Sequence, residues 1–131
     1  MIYFKEFSKA AIKDIRQTNS YLKNILKNKS AAYNLINATE SIVNDLIIFP
    51  NSHPIVQDSV LAFYKIRYVQ VKNYLIIYTV NEDTKTVYIV RFLYSRSDWQ
   101  RILKHYVKYD EYMAENAIGY VHEEQEEYRK K

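Results

Sequence analysis

Three short β-prone segments in the second half of the chain constrain its fold most strongly. Phe63–Val71, Tyr74–Val80 and Thr86–Tyr94 are rich in Val, Ile and aromatic side chains, and they are separated only by Lys72-Asn73 and by the polar stretch Glu82–Lys85. Loops this short can join only antiparallel neighbours. The sequence therefore predicts a three-stranded antiparallel sheet whose first turn uses Asn73 in the left-handed conformation.

Two amphipathic helices precede these strands. Apolar residues recur at helical spacing from Ser8, a candidate N-cap, to about Lys27, and again from Ser30 to the Phe49-Pro50 pair. The short break between them predicts an antiparallel helical hairpin. With a short strand at residues 2–7 and a third helix after Ser97, the order is β-α-α-β-β-β-α. This order predicts an α+β fold with the hairpin packed on one face of the antiparallel sheet.

Composition narrows the classes of protein. The absence of cysteine excludes a disulfide framework and a thiolate zinc site, and the three histidines lack the spacing of metal ligands. The single glycine, Gly119, excludes a phosphate-binding glycine loop, so we expect neither metal nor cofactor. The apolar runs are far shorter than the roughly 20 residues of a membrane span. No signal peptide is recognisable either, and we expect a cytoplasmic protein without membrane contact.

Charge divides the chain into two parts. Residues 1–109 contain 16 Lys and Arg against 8 Asp and Glu, whereas residues 110–131 contain 3 against 7. We therefore expect one folded domain at 1–109, with a basic surface suited to an acidic partner, and an acidic, partly helical extension at 110–131. That extension either folds over the basic surface and weakens nonspecific binding, or serves as a solubilising or oligomer-forming segment.

The sheet segment resembles a known family. The residues Tyr64-Lys65-Ile66-Arg67-Tyr68, then Asn73–Val80, then Val87–Trp99 with its Arg91 and its Arg96-Ser97-Asp98-Trp99 motif, are similar to the C-terminal half of RelE/ParE toxins. The resemblance covers roughly residues 1–104. It implies a microbial-RNase-like fold and neutralisation by a cognate antitoxin. It also implies one of two activities: cleavage of mRNA in the ribosomal A site, or inhibition of DNA gyrase without nuclease residues. The oligomeric state stays open, a homodimer included.

Six side chains are candidates for the chemistry of RNA cleavage, which needs cations at the phosphate and a group that moves protons. If Tyr64, Ile66 and Tyr68 face the hairpin, Lys65 and Arg67 lie on an open sheet face. We expect these roles: catalytic for Arg67, Arg96 and Tyr94, and substrate-binding for Lys65, Tyr74 and Arg91.

This sequence also departs from the pattern of the nuclease members of the family. Leu75 stands where a RelE-like arginine would follow Tyr74, and no base is identifiable. The intact basic pair, Lys65 and Arg67, favours a ribosome-dependent mRNA endoribonuclease, and this is the activity we expect. Leu75 favours the alternative, a gyrase inhibitor or a non-catalytic toxin-fold protein. Structural roles stay open as well. Arg91 could pair with an acid such as Asp98, Arg96 and Asp98 could cap the third helix, and the basic pair could simply be a solvated surface.

Overall fold

The fold is α+β, as predicted, with four strands, four α-helices and one π-helical turn among the described residues. The computed structural model describes residues 1–110 and 112–113; the other residues of the predicted acidic extension lie outside the described part of the chain. The helices are α1 (Lys9–Ser20), continued by the π-helical turn Tyr21–Ile25, α2 (Lys29–Leu46), α3 (Ser59–Phe63) and α4 (Trp99–Val107). The strands are β1 (Phe4–Phe7), β2 (Arg67–Val71), β3 (Tyr74–Asn81) and β4 (Thr86–Tyr94).

The strands form one mixed sheet in the order β1-β4-β3-β2. The predicted meander is confirmed, because β2 pairs with β3 and β3 with β4 in antiparallel register. Strand β1 joins the outer side of β4 in parallel. The helical hairpin of α1 and α2 is also confirmed, and Ser8 caps α1 as predicted by accepting a hydrogen bond from the Ala11 N–H at 2.9 Å. Helix α2 is capped by Asn28 rather than by Ser30.

The predicted strand over Phe63–Val71 is wrong in its first half. Residues Ser59–Phe63 form helix α3, which Asp58 caps by accepting hydrogen bonds from two backbone N–H groups. Lys65 then turns the chain with a φ of 56° before β2 begins at Arg67. The Asp58 cap outweighs the β-propensity of the following residues, since it satisfies N–H groups that a short helix otherwise leaves unpaired.

Both faces of the sheet are covered, so the expected open face does not exist. On one side, the hairpin packs against a core that contains Val71, Ile76 and Tyr78. On the other side, α4 and α3 pack against a second core that contains Ile66 and Ile77. Asp110, Tyr112 and Met113 extend this second core, where Asp110 accepts hydrogen bonds from the Tyr88 and Tyr106 hydroxyls and from the Met113 N–H.

The two faces of β2 are the reverse of those predicted. Tyr64 and Ile66 pack in the second core, and the Tyr68 ring lies 5.3 Å from the Trp99 ring of α4. Val69 and Val71 face the hairpin instead. Alternation could not assign these faces, because each set of side chains combines apolar and polar residues and the strand is covered on both sides.

Helix α1 closes the edge of β4 beyond the end of β1. The Ser8 hydroxyl donates to the Val90 carbonyl at 2.7 Å, and the Asp14 carboxylate accepts from the Phe92 N–H at 3.1 Å. The register of β3 and β4 shifts at this level, which marks a β-bulge at Val90. The bulge turns Arg91 toward α4, since a bulge re-aims the side chain next to it.

Arg91 pairs with an acidic residue, as the structural alternative expected, but the acid is Asp14 and not Asp98. Its guanidinium donates two hydrogen bonds to the two Asp14 oxygens, at 2.7 and 2.9 Å, and its charged carbon lies 4.9 Å from the centre of the Tyr106 ring. Asp98 pairs instead with Arg101 on the exposed side of α4. The Arg91 and Asp14 side chains are only 17% and 11% exposed, so each is the compensating charge of the other.

Four lysines hold the left-handed backbone conformation that glycine usually supplies. They are Lys27, Lys65, Lys72 and Lys85, with φ between 51° and 56°. In the β2–β3 turn the left-handed residue is therefore Lys72, and the prediction for Asn73 was wrong. Each such lysine carries the steric cost of its Cβ near the carbonyl. Among the described residues, no helix is long and apolar enough to cross a membrane.

Removing the carboxylate charge in Asp14→Asn should lower the free energy of unfolding by about 3 kcal/mol, because Arg91 is left as a half-buried charge without its anion. Urea denaturation followed by far-UV circular dichroism measures this change. Asp98→Asn is the matched control, and it should cost less than about 1 kcal/mol since its ion pair is exposed. Equal effects of the two substitutions would contradict the structural role of Asp14.

Lys27→Gly should raise the free energy of unfolding by about 0.5–1 kcal/mol, because glycine takes the left-handed conformation without the Cβ clash. Lys23→Gly, inside the π-helical turn, should lower it by about 1 kcal/mol. Thermal or urea unfolding of the two variants tests the pair. A loss of stability in both would show that Lys27 is held by contacts of its side chain.

Candidate functional site

The six predicted site residues do not form one cluster. Tyr74 and Tyr94 are cross-strand partners at the end of the sheet where β2 turns into β3. Arg67 lies opposite Tyr78, four residues further along β3, which corresponds to about 14 Å of strand. The predicted constellation is therefore divided between two ends of the sheet, with Arg91 in the ion pair described above.

The first end carries a cluster of three tyrosines. The Tyr74 ring stacks on Phe92 with centroids 5.2 Å apart and meets Tyr94 edge-on at 5.6 Å. Burial raises the pKa of Tyr74, and the neighbouring Tyr94 and Tyr21 raise it further. Leu22 of the π-helical turn lines a groove together with Tyr74, so we include its neighbour Tyr21 in the group, which we call the tyrosine cluster (Tyr21, Tyr74 and Tyr94). Tyr21 and Tyr94 are 49% and 43% exposed, so the cluster presents aromatic surface to solvent.

Two cations flank the tyrosine cluster. Arg96 lies in a tight turn that closes when the Ser97 N–H and hydroxyl both donate to the Tyr94 carbonyl. Lys72 occupies the neighbouring β2–β3 turn, and the Ser95 N–H donates to the Asn73 carbonyl at 2.8 Å to hold the two turns together. Lys72 and Arg96 are exposed, and neither makes a hydrogen bond or ion pair through its side chain with a residue in the described part of the chain.

A groove adjoins the cluster where the hairpin meets this turn. Its volume is about 310 Å³, and Leu22, Asn34, Leu35, Lys72 and Tyr74 are among its lining residues. Neither Tyr21 nor this groove was predicted from the sequence. The repeat of apolar residues identified the helix but not its π-helical turn, which changes the direction of side chains after Ser20.

The opposite end of the sheet holds the basic pair, Lys65 and Arg67, beside a small crevice. The Arg67 guanidinium donates to the His53 carbonyl in a short hydrogen bond. Lys65 is exposed and shares with Arg67 a crevice of about 150 Å³ that Asn51 and Glu82 also line. The Tyr3 hydroxyl donates to the Glu82 carboxylate at 2.6 Å, and this bond lowers the pKa of Glu82.

Neither Tyr78 nor Glu82, two acidic side chains at this end, is suited to remove a proton from a ribose hydroxyl at neutral pH. Tyr78 is buried beneath His53, and its hydroxyl has no hydrogen-bond partner in the described part of the chain. Burial raises the pKa of Tyr78 to about 12, against the opposing effect of the Arg67 charge, so its phenol stays protonated. Glu82 is already engaged by Tyr3, Asn51 and Lys85.

Arg91 has little capacity left for a ligand. The hydrogen bond with Asp14 raises its pKa, and the Tyr106 ring covers its face. A structural role is therefore the better interpretation for Arg91 than substrate contact. Among the described residues, no group of three or more His, Asp or Glu side chains is placed to hold a metal ion.

Comparison with known proteins agrees with this architecture. Solved structures that share the fold include the following two. The chromosomal ParDE toxin–antitoxin system from P. aeruginosa aligns with a TM-score of 0.55 at 11% identity, covering 71% of this chain and 96% of that one. A mutant of the E. coli toxin RelE in the free state aligns with a TM-score of 0.52 at 16% identity, covering 82% of this chain and 97% of that one.

The family assignment rests on sequence. No curated protein sequence matches the chain. The sequence model of the ParE toxin of the type II toxin–antitoxin system parDE, however, matches residues 6–99, from β1 to the start of α4. That match spans well over half of the chain, and the hairpin and meander found in the structure lie within it. The chain therefore belongs to the ParE toxin family and is a RelE/ParE-type toxin of a type II toxin–antitoxin system.

Proposed function

We propose that this toxin acts in the cytoplasm by binding DNA gyrase through the tyrosine cluster and its two flanking cations, rather than by cutting mRNA. A cognate antitoxin is the expected partner that silences it. We choose DNA gyrase as the target because the resemblance to ParE toxins implies inhibition of this enzyme. The mode of action comes from the arrangement of the candidate residues.

The separation of those residues is the observation that carries the proposal. General acid–base cleavage needs its groups within hydrogen-bond reach of one substrate. Here Arg67 donates to a backbone carbonyl, Arg91 is bound to Asp14, and both lie away from Tyr94 and Arg96. Leu75, at the position of the expected arginine, is buried in the second core. The groups of a nuclease site are therefore not brought to one place.

What remains at the turn end of the sheet has the composition of a protein-binding surface. Tyr and Arg are enriched among the residues that dominate protein–protein binding energies. A tyrosine supplies a large apolar ring with a polar tip at a low entropy cost, and Arg96 is free to pair with an acidic group of the target. The adjoining groove gives such a target a concave place to enter.

Tyr94→Ala and Arg96→Ala should each weaken gyrase inhibition by about 30-fold or more, which corresponds to the roughly 2 kcal/mol expected of a dominant contact residue. Titration of purified toxin in a gyrase supercoiling assay measures the effect. Arg101→Ala is the control, because Arg101 is also an exposed arginine but lies on α4. It should leave inhibition within about twofold of the unsubstituted toxin.

A nuclease would give a different pattern. Toeprinting on translated mRNA would show codon-phased cuts with the purified toxin, and those cuts would disappear in Arg67→Ala. That result, together with unaffected supercoiling, would overturn the proposed mode of action and restore the basic pair as the centre of the chemistry.

A further inference from the structure

A second surface, outside the tyrosine cluster, lies on the outward side of α1. Lys9, Lys13 and Arg16 recur at spacings of four and three residues, so they share one helix face. Ala11 and Ile15 of the same helix pack in the hairpin core on the opposite side. All three cations are exposed, and none of their side chains makes a hydrogen bond or ion pair with a residue in the described part of the chain.

The charge on this face is not compensated nearby in sequence. Between Glu6 and Glu40 the only acidic residue is Asp14, and its carboxylate is occupied by Arg91 and by the Phe92 N–H. The three cations, which we call the basic stripe (Lys9, Lys13 and Arg16), span about 10 Å along the helix axis. The exposed Lys23 of the π-helical turn follows them toward the tyrosine cluster.

We infer that the basic stripe is a docking surface for the phosphate backbone of duplex DNA. Phosphate oxygens are the usual acceptors for lysine and arginine at such surfaces. A protein partner is disfavoured, because lysine is depleted at protein interfaces and those interfaces need apolar anchors at their centre. Single-stranded nucleic acid is disfavoured too, since it requires aromatic side chains on which bases stack and α1 contains no aromatic residue.

The choice of DNA over duplex RNA rests on the proposed function. A gyrase inhibitor meets its target on DNA, and a phosphate-binding stripe that leads to the tyrosine cluster would place the toxin on the bound duplex beside the enzyme. Such a contact is independent of sequence, because backbone phosphates carry no sequence information directly.

The test compares the unsubstituted toxin with Lys9→Gln/Lys13→Gln/Arg16→Gln in fluorescence-anisotropy titrations of a labelled 20-base-pair DNA duplex at several NaCl concentrations. Glutamine keeps the helix propensity and removes only the charge. We expect at least about tenfold weaker binding at low salt. The slope of log K against log salt concentration should fall in magnitude by about 2.7, the value for three lost phosphate contacts.

The matched control removes three charges elsewhere, in Lys85→Gln/Arg101→Gln/Lys108→Gln. It has the same formal net charge as the stripe variant, and its affinity should fall by less than about threefold with an unchanged slope. Equal losses in the two variants would show that only net charge matters and would overturn the inference. An unchanged affinity of the stripe variant would also overturn it. Thermal unfolding of both variants confirms that they are folded.

Competition experiments with unlabelled polyanions distinguish duplex DNA from other possible partners of the basic stripe. Unlabelled duplex DNA should displace the labelled duplex more effectively than a single strand or polyglutamate of equal charge. Stronger competition by duplex RNA or by polyglutamate would overturn the assignment to DNA. The titrations contain no gyrase, so their failure is distinguishable from a failure of the proposed function, which the supercoiling assay tests with Tyr94→Ala.

Discussion

The contact between Asp14 and the edge of β4 holds the architecture together. Strand β1 ends at Phe7, so the outer edge of β4 would otherwise present unpaired backbone groups from Val90 onward. Asp14 accepts from both the Phe92 N–H and the Arg91 guanidinium, and a helix thereby takes the place of a strand. Because α1 is fixed there, the hairpin lies across the sheet at one angle. The hairpin thereby places the π-helical turn that contains Tyr21 and Leu22 beside Tyr74 at the end of the sheet.

Coverage of both sheet faces determines where a functional surface can exist. The hairpin occupies one face, while α4 with α3 and Met113 occupies the other. A substrate therefore has no broad sheet face on which cationic side chains could surround it, at least within residues 1–110. The ends of the sheet remain, and the end with Tyr74 and Tyr94 combines aromatic rings with two cations, Lys72 and Arg96, whose side chains have no partner in the described part of the chain. This restriction favours recognition of a protein surface over enclosure of a reacting phosphate.

Local patterns predicted the elements, and non-local contacts decided the site. The hairpin and the three-stranded meander followed from apolar periodicity and short loops, which depend on neighbouring residues alone. The faces of β2 did not follow, because Tyr68 and Val69 are both suited to burial. The partner of Arg91 was misjudged for a related reason. Asp98 is close in sequence, but Asp14, 77 residues away, is brought near only by packing of α1 on β4.

The basic stripe also explains why α1 needs that tertiary support. Lys9 stands in the first turn, where the positive end of the helix dipole disfavours a cation, and no acidic residue accompanies it there. Lys13 repels both Lys9 and Arg16, at a cost of about 0.2–0.5 kcal/mol for each pair. A helix chosen only for stability would place glutamates at such positions. The unfavourable charges persist because the Ser8 cap and the Asp14 contacts hold α1 on the sheet, which frees its outward face to be selected for binding a polyanion.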